Sequence, residues 1–370
     1  MRIFLTHQSK VCTPDKTLIE DHIYPQQVHM VPGTYDRVKT GLFTPYQTLT
    51  EKVMTKELVD KVRDSRPGKT AFILAAGNGN FAAEGRILGR DNFMRYQYRI
   101  LPLTLTQIFC GRMASMFGEI DYSHTDATAC TSSLKVMMDV QTLIKFYGFK
   151  RVIVLAVEDQ INNMTLQFFG EAKASLTEEI KAAEGVEPSA FDEKNFGFYI
   201  GHGAALAVFD AEDVVRDRPI AELISAYTAN EAMSNAIGQR EDGQGFVRAI
   251  KGAMEINKID PKCIRIVKTH GTGTRSNNQA ERAALLDTLP EFVATSYKQR
   301  IGHTMGASGL LETLLLLEDM DNGFIPPILN RTEDDTVFLS KRVDAPDGLI
   351  LSLSAGMGNV FSAAIFDRGH

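Results

Sequence analysis

The stretch TDATACTSSLKVMMDVQTLIKFY, residues 125–147, decides the fold class. Within it, positions 134, 136 to 138, 140, 143, 144, 146 and 147 are apolar, a pattern that wraps most of the way round a helix. A helix with so little polar surface belongs at the centre of a fold, between other layers. Its lead-in consists of small residues, Ala127, Thr128, Ala129, Thr131, Ser132 and Ser133, around Cys130. Small side chains permit a tight strand-to-helix turn that exposes a sulfur, and a helix N-terminus favours a thiolate through its unpaired N–H groups and dipole. A cysteine that only packs well fits the same pattern, because free cysteine is among the most buried residue types. Both readings stand on this segment alone.

Outward from this helix, the runs TAFILAAG (70–77), RVIVLAVED (151–159), IRIVKTHG (264–271) and EFVATS (291–296) are short, apolar and ended by glycine or polar residues. Such runs are strands covered on both faces. LILSLSAGMGNVFSAAIF (349–366) reads as two strands around a turn at Gly356 and Gly358. A second buried helix is predicted over SGLLETLLLLEDMDNG (308–323), ending at Gly323 ahead of Pro326 and Pro327, and PLTLTQIFCGRMASMFG (102–118) reads as a further helix. Strands alternating with helices define an α/β architecture. The polar stretch DAEDVVRDRP (210–219) marks a boundary near residue 215. On each side a small-residue-led buried helix precedes further strands, so two halves of similar build are expected, 1–215 and 216–370.

The length of 370 residues fits two domains or fused halves better than one core. Hydrophobic residues make up 44% and charged residues 23%, which excludes disorder, and no apolar run approaches a membrane span. The start, MRIFLTHQSKVCTPDKT, carries an apolar stretch too short for a secretory signal, so a cytoplasmic location is expected. Cys12, Cys110, Cys130 and Cys263 lie far apart with no CxxC pair, against a zinc knuckle or a disulfide framework. A net charge of -6 with interspersed signs leaves no footprint for nucleic acid.

Two further segments carry chemistry. In KTHGTGTRSNNQAE (268–281) a strand runs into His270 and turns through Gly271 and Gly273, which holds an imidazole at a strand end near backbone donors. In KQRIGHTMGASGLLE (298–312) His303 occupies a small-residue loop before the second buried helix, with Lys298 upstream and Glu312 downstream. A turn-capping histidine and a loop histidine satisfied by backbone groups read the same way. Residue type alone also allows a zinc site from Cys130, His270 and His303, but local ligand pairs are lacking.

Taken in order, Cys130 in TACTSS, His270 in HGTGT, and Lys298 and His303 in KQRIGHTMGASGLLE resemble the β-ketoacyl-acyl-carrier-protein synthases, decarboxylating ketosynthases of the thiolase superfamily. The resemblance is tightest from about residue 100 to 370 and thin over the first 70, which are short for that family and lack its glycine-rich opening. It implies a thiolase-like fold of two related halves, each a five-stranded sheet between helices, in αβαβα layers. It implies an acyltransferase of fatty acid or type II polyketide or polyene biosynthesis.

By the same resemblance, Cys130 is the nucleophile that accepts an acyl chain, and His270 and His303 act on a malonyl-carrier. Lys298 and Glu312 match the family's supporting ion pair, and Glu281 matches the acid after HGTGT. LSAGMGNV takes the place of the C-terminal glycine-rich loop, with Met357 where a gating Phe is common; the N–H groups of Cys130 and Met357 would form the oxyanion hole. No metal or nucleotide cofactor is implied. The implied partners are an acyl carrier protein and a second subunit, in a homodimer or in a heterodimer with a related ketosynthase or chain-length-factor subunit.

Departures from the family are Asn278 for Asp, Asn195 for Arg, Phe196 for Asp, His202 for Glu, and the GMGNV form of the last loop. None touches the Cys-His-His set. A biosynthetic thiolase would need a second Cys in LSAGMG, and a chain-initiating synthase would have Asn in place of His303. The remaining alternative is a chain-length-factor-like, non-catalytic subunit, against which Cys130 and both histidines argue.

Overall fold

A computed structural model describes residues 1–20, 22–34, 45–77, 105–232 and 238–369. Its main sheet contains β1 (Ile3–Val11), β2 (Thr70–Ala75), β3 (Tyr122–Asp126), β4 (Arg151–Glu158), β5 (Gly203–Ala211), β6 (Ala221–Asn230), β7 (Ile264–Lys268), β8 (Val293–Thr295), β9 (Leu349–Gly356) and β10 (Val360–Asp367). The order across the sheet is β8-β7-β9-β10-β6-β1-β5-β4-β2-β3. Two five-stranded sets meet at β1 and β6, which pair antiparallel through Phe4–Glu222 and Leu5–Ala221. Each set has the same topology. β2 lies parallel to β3 and β4, while β5 runs antiparallel to β4 and β1. Likewise β7 lies parallel to β8 and β9, while β10 runs antiparallel to β9 and β6.

Helices α1 (Pro45–Val53), α2 (Lys56–Asp64) and α3 (Thr106–Ala114) cover the outer face of the first set. α4 (Ser132–Tyr147) lies centrally, α5 (Gln244–Ile256) and α6 (Arg275–Thr288) cover the outer face of the second set, and α7 (Ser308–Asp321) returns to the centre. The two-residue period of a strand explains the layering. On β2, Ala71, Ile73 and Ala75 join α4 and α7 in the central core, while Phe72 and Leu74 join the outer one. On β10, Ala364 and Phe366 face the centre, and Phe361, Ala363 and Ile365 face outward. Both faces of both sheets are buried, so these strands show no apolar–polar alternation in sequence, and the layers are αβαβα. Leu310, Leu311, Leu314, Leu316 and Leu317 of α7 are all buried, each contributing about 1.5–3 kcal/mol.

Two expected elements differ in detail, and one strand is unexpected. The helix expected over 131–147 is central only for its first three turns: Phe146 and Tyr147 are exposed, because the last turn overruns the sheet before Gly148 ends it in the left-handed conformation. Of the helix expected over 102–118, residues 102–104 lie outside the described residues. The described part is α3 followed by a 3-10 turn, Ser115–Phe117. The strand β1 is not evident in sequence, since only Ile3 and Leu5 of it are fully buried. Among the described residues, no helix is long and apolar enough to cross a membrane.

The two central helices begin alike. TACTSSL (128–134) and TMGASGL (304–310) each make a three-residue 3-10 turn, Ala129–Thr131 and Met305–Ala307, entered through a non-glycine residue at positive φ, Ala129 at 49° and Met305 at 44°. These turns touch. A Cβ on Gly306 would stand 2.2 Å from the Gly77 nitrogen, and one on Gly309 would stand 2.8 Å from the Leu134 Cβ. Gly306→Ala is expected to cost more than about 4 kcal/mol or to abolish soluble folding. Gly148→Ala, at a left-handed helix end with open space around it, should cost about 1–2 kcal/mol. Thermal and urea unfolding of both variants decide the matter, and equal losses would contradict the tight crossing.

Candidate functional site

Cys130 occupies the turn between β3 and α4, where the Thr131 N–H donates to the Thr128 carbonyl at 3.1 Å and the Thr128 N–H donates to Ser132 Oγ at 2.9 Å. The residue is 7% exposed and packs with Val28, Ile161, Phe198 and Met305. Burial pushes its thiol up to about 12, with Lys298 pulling down and Glu158 pushing up. Desolvation therefore outweighs the helix terminus, and the resting sulfur is a thiol.

His303 follows the short helix Lys298–Ile301 and Gly302. Its backbone is clamped by the strand Ile200–Gly201: the His303 N–H donates to the Tyr199 carbonyl at 2.7 Å, and the Gly201 N–H donates to the His303 carbonyl at 3.1 Å. The imidazole Nδ1 accepts the Met305 N–H at 3.2 Å and lies 2.9 Å from Ser308 Oγ. With Nδ1 an acceptor, the proton of the neutral ring sits on Nε2. Phe198 stands edge-on to this ring at 5.1 Å.

His270 lies two residues beyond β7. The Glu281 carboxylate, from α6, accepts the His270 N–H at 2.5 Å and the Gly271 N–H at 2.9 Å, while the Gly271 carbonyl accepts from Gln299 Nε2 at 2.9 Å and Ser296 Oγ at 3.1 Å. The backbone under the imidazole is thus fixed from two elements. The His270 and His303 ring centroids are 5.8 Å apart at 80°. Burial first, then the positive charge of Lys298 and Lys268, holds both imidazoles well below their ordinary pKa, with His303 adding to the effect on His270. At neutral pH both rings are neutral donors.

Behind the histidines, Lys298 Nζ donates to both oxygens of Glu312, at 2.9 and 3.1 Å, with neither side chain exposed. A second buried lysine, Lys268, joins the same carboxylate at 3.5 Å and was not singled out from sequence. Its only signal is a charge at the end of the otherwise apolar strand IRIVK, where the exposed side of a strand is the ordinary explanation. Phe198 is also invisible in sequence, because nothing local ties it to His303, whereas Ser308 lies within GHTMGASG, five residues after the histidine it meets, and reads there as a small helix-start residue. At the last loop, a Cβ on Gly356 would meet the Cys130 nitrogen at 3.3 Å, so β9 delivers Met357 beside the cysteine.

The departures are accommodated locally. His202 Nε2 accepts the Val31 N–H at 2.6 Å, and its Nδ1 lies 3.3 Å from Asp159. Asn195 accepts the Glu187 N–H at 3.0 Å and donates to the Asn330 carbonyl at 2.8 Å. The Arg275 guanidinium lies over the Phe196 ring at 5.2 Å. Asn278 makes only a long contact to the Gly273 carbonyl, 3.5 Å, whereas the neighbouring Asn277 accepts the Thr272 N–H at 3.2 Å.

Cys130, Phe198, His270, His303, Gly356 and Met357 line one cleft of about 850 Å³. Among the described residues, no three His, Cys, Asp or Glu side chains come together so as to hold a metal ion, and all four cysteines are free.

The α/β fold thus brings a thiol and two imidazoles onto one cleft. Residues 44–213 match the model of the β-ketoacyl synthase N-terminal domain, and residues 220–332 match that of the β-ketoacyl synthase C-terminal domain. The chain belongs to the β-ketoacyl synthase family. It is 29% identical over 258 residues to the tetracenomycin polyketide synthase ketoacyl synthase alpha subunit of Streptomyces glaucescens, a match covering 65% of this chain and 59% of the relative. It is 24% identical over 316 residues to a putative mitochondrial 3-oxoacyl-acyl-carrier-protein synthase of Schizosaccharomyces pombe, covering 80% of this chain and 74% of the relative. The chain thus spans about three fifths of the length of some curated relatives. In structure, a β-ketoacyl synthase from Burkholderia phymatum matches with a TM-score of 0.83 at 18% identity, over 100% of both chains. The ketosynthase complex of a type II polyketide synthase acyl-carrier protein, bound to the hexaketide, gives 0.81 at 16% identity, over 100% of this chain and 99% of the other.

The depressed histidines make stability pH-dependent. An unfolded chain protonates His270 and His303 below its ordinary pKa of 6.5 while the folded chain does not, so stability is complete above that pH and is lost as pH falls toward the folded values. Glu281, raised by burial to about 7, acts with the opposite slope in part of this window. Comparison with a His270→Gln, His303→Gln double variant isolates the pair. Between about pH 6.5 and 5 the acid slope of the variant should be shallower by about 2 kcal/mol per pH unit, approaching two protons' worth, about 2.7, at the acid end. Urea unfolding at several pH values measures this, and parallel slopes would show that the rings are protonated in the folded protein.

Proposed function

We propose that this chain is a β-ketoacyl synthase that receives an acyl chain on Cys130 and extends it by decarboxylative condensation with a malonyl-acyl-carrier protein. The observation that carries the reading is the pair of neutral imidazoles, 5.8 Å apart, on the same cleft as Cys130, with the His303 proton directed to Nε2 by the Met305 N–H. Two N–H donors in a dry site are suited to negative charge that develops on a thioester oxygen.

In the first half-reaction the Cys130 sulfur adds to the carbonyl of an acyl-carrier thioester, the carrier sulfur leaves with the proton, and acyl-S-Cys130 remains. In the second, the carboxylate of the malonyl-carrier departs as CO2, and its bonding electrons pass into a thioester enolate. Nε2–H of His303 and an N–H of His270 stabilise the enolate oxygen. The enolate carbon attacks the acyl carbonyl, whose oxyanion is held by the N–H groups of Cys130 and Met357. Collapse expels the Cys130 sulfur, which takes up a proton, and the product is a β-ketoacyl-carrier longer by two carbons. Lys298 and Glu312 support the site by fixing the loop before His303, and Glu281 supports it by anchoring the His270 backbone. No metal or nucleotide enters these steps.

The acyl carrier protein as partner is supported by the structural relative solved with its carrier protein, and by the exposed Lys173 and Arg275 that line the same cleft as the cysteine. A dimer, with a second copy or with a related ketosynthase or chain-length-factor subunit, is supported by the exposed apolar residues Leu105, Ile108 and Tyr122 around the edge strand β3. The division into halves 1–215 and 216–370 is part of the same reading; the equal strand orders and the junction of the two family matches support it.

Intact-protein mass after incubation with an acyl-carrier, or with an epoxide that alkylates ketosynthase cysteines, should show one adduct that is lost in Cys130→Ala. The His270→Ala, His303→Ala double variant should release CO2 from malonyl-carrier at least about a hundredfold more slowly while remaining folded. No adduct on the wild-type chain would point instead to a pocket-shaping subunit of the chain-length-factor kind, and undiminished CO2 release in the double variant would refute the histidine roles.

A further inference from the structure

Lys268 ends β7 two residues before His270, and none of it reaches solvent. Its ammonium donates to the Leu353 carbonyl of β9 at 2.7 Å and lies 3.5 Å from Glu312 Oε2, on the carboxylate that also takes Lys298. Burying an ammonium is expensive unless opposite charge and hydrogen bonds surround it. Here Lys268 and Lys298 share the Glu312 carboxylate, with Glu281 bound to the His270 and Gly271 backbone nearby, all four without solvent exposure.

We propose that Lys268 is a positioning residue of the ketosynthase site, which ties Glu312 to β9 and adds a positive charge beside His270 and His303. The inference rests on the reading above of those histidines as donors to the enolate. Its geometric part follows the chain: Leu353 lies three residues before Gly356, which packs against the Cys130 nitrogen, so the Lys268 bond fixes the strand that carries Met357. Its electrostatic part follows from the charged groups around the imidazoles. Lys268 faces them from β7, Lys298 from the helix Lys298–Ile301, Glu312 from α7 and Glu281 from α6, and each imidazole faces the other. The lysines oppose a further positive charge on either ring, and Lys268 acts on both. Burial also pulls Lys268 itself down to about 8, so this control fades on the alkaline side of neutrality.

The test compares Lys268→Met, which removes the charge and both bonds; Lys268→Gln, which can keep the bond to Leu353 without the charge; and Lys268→Arg, which keeps the charge. Two readouts are needed: titration of the His270 and His303 ring carbons by NMR, assigned by single His→Gln variants, and the pH profile of CO2 release from malonyl-carrier. Lys268→Met and Lys268→Gln should raise both histidine midpoints by about half a pH unit or more. The acidic limb of CO2 release should move with them, as a loss in kcat rather than in KM, and Lys268→Arg should restore the wild-type midpoints. If Lys268→Met does not fold, the same titration of Lys268→Gln decides. Unshifted midpoints in a folded, uncharged variant overturn the proposal. The titration needs no turnover, so a wild-type chain that releases no CO2 would refute the ketosynthase reading, while the role of Lys268 in setting the histidine charge would still be decided by NMR.

Discussion

Everything at this site depends on how closely two helix starts cross between the sheets. The starts of α4 and α7 touch through Gly309 and Ser133, with the Leu310 N–H donating to Ser133 Oγ at 3.0 Å, while Gly306 packs on Gly77 just beyond β2. A side chain larger than hydrogen at either glycine would push the halves apart. The crossing also explains why Ala129 and Met305 tolerate positive φ, a cost of about 1–2 kcal/mol each that only an over-determined turn sustains. One turn carries Cys130 and the other follows His303 directly, so a single packing constraint brings a sulfur from one half and an imidazole from the other onto one cleft.

A site assembled at the centre of five layers is necessarily dry, and dryness sets its electrostatics. Desolvation raises the Cys130 thiol and lowers both histidines, so every reacting group rests in its neutral form. Behind the rings stands a lysine and glutamate group, while Glu158 is buried on the Cys130 side. In the proposed reaction, neutral donors in front of that group would meet the enolate's developing negative charge.

The buried strands and helices were legible because burial on both faces writes itself into sequence as uninterrupted apolar runs, whereas the layer order follows only from the family resemblance. The segments that carry Cys130, His270 and His303 stand out in sequence because each is a short motif whose glycines and small residues are forced by the turn: TACTSS, HGTGT and GHTMGASG. What escaped has the opposite character. β1 joins the two sets of strands yet is mostly half-buried, so its sequence IFLTHQSKV looks like a surface strand. Lys268 and Phe198 act across the fold, and a hydrogen bond to a residue 85 positions away, as from Lys268 to Leu353, leaves no local pattern.

The departures from the family pattern divide along the same line. Asn195, Phe196 and His202 stand in the scaffold around the cleft, and each has found a local partner: the Asn330 carbonyl, the Arg275 guanidinium and the Val31 N–H. A scaffold position only has to satisfy a buried donor or fill a volume, and an imidazole nitrogen accepts an N–H as well as a carboxylate oxygen does. His270 and His303 have no such latitude, because their ring nitrogens must stay neutral and face the cleft while their backbones are pinned by Glu281 and by the strand Ile200–Gly201. Met357 belongs to neither group. Gly356 before it packs against the Cys130 turn, while the Met357 side chain is unbranched and flexible, so under the proposed function the wall it presents to an acyl chain can repack around different lengths.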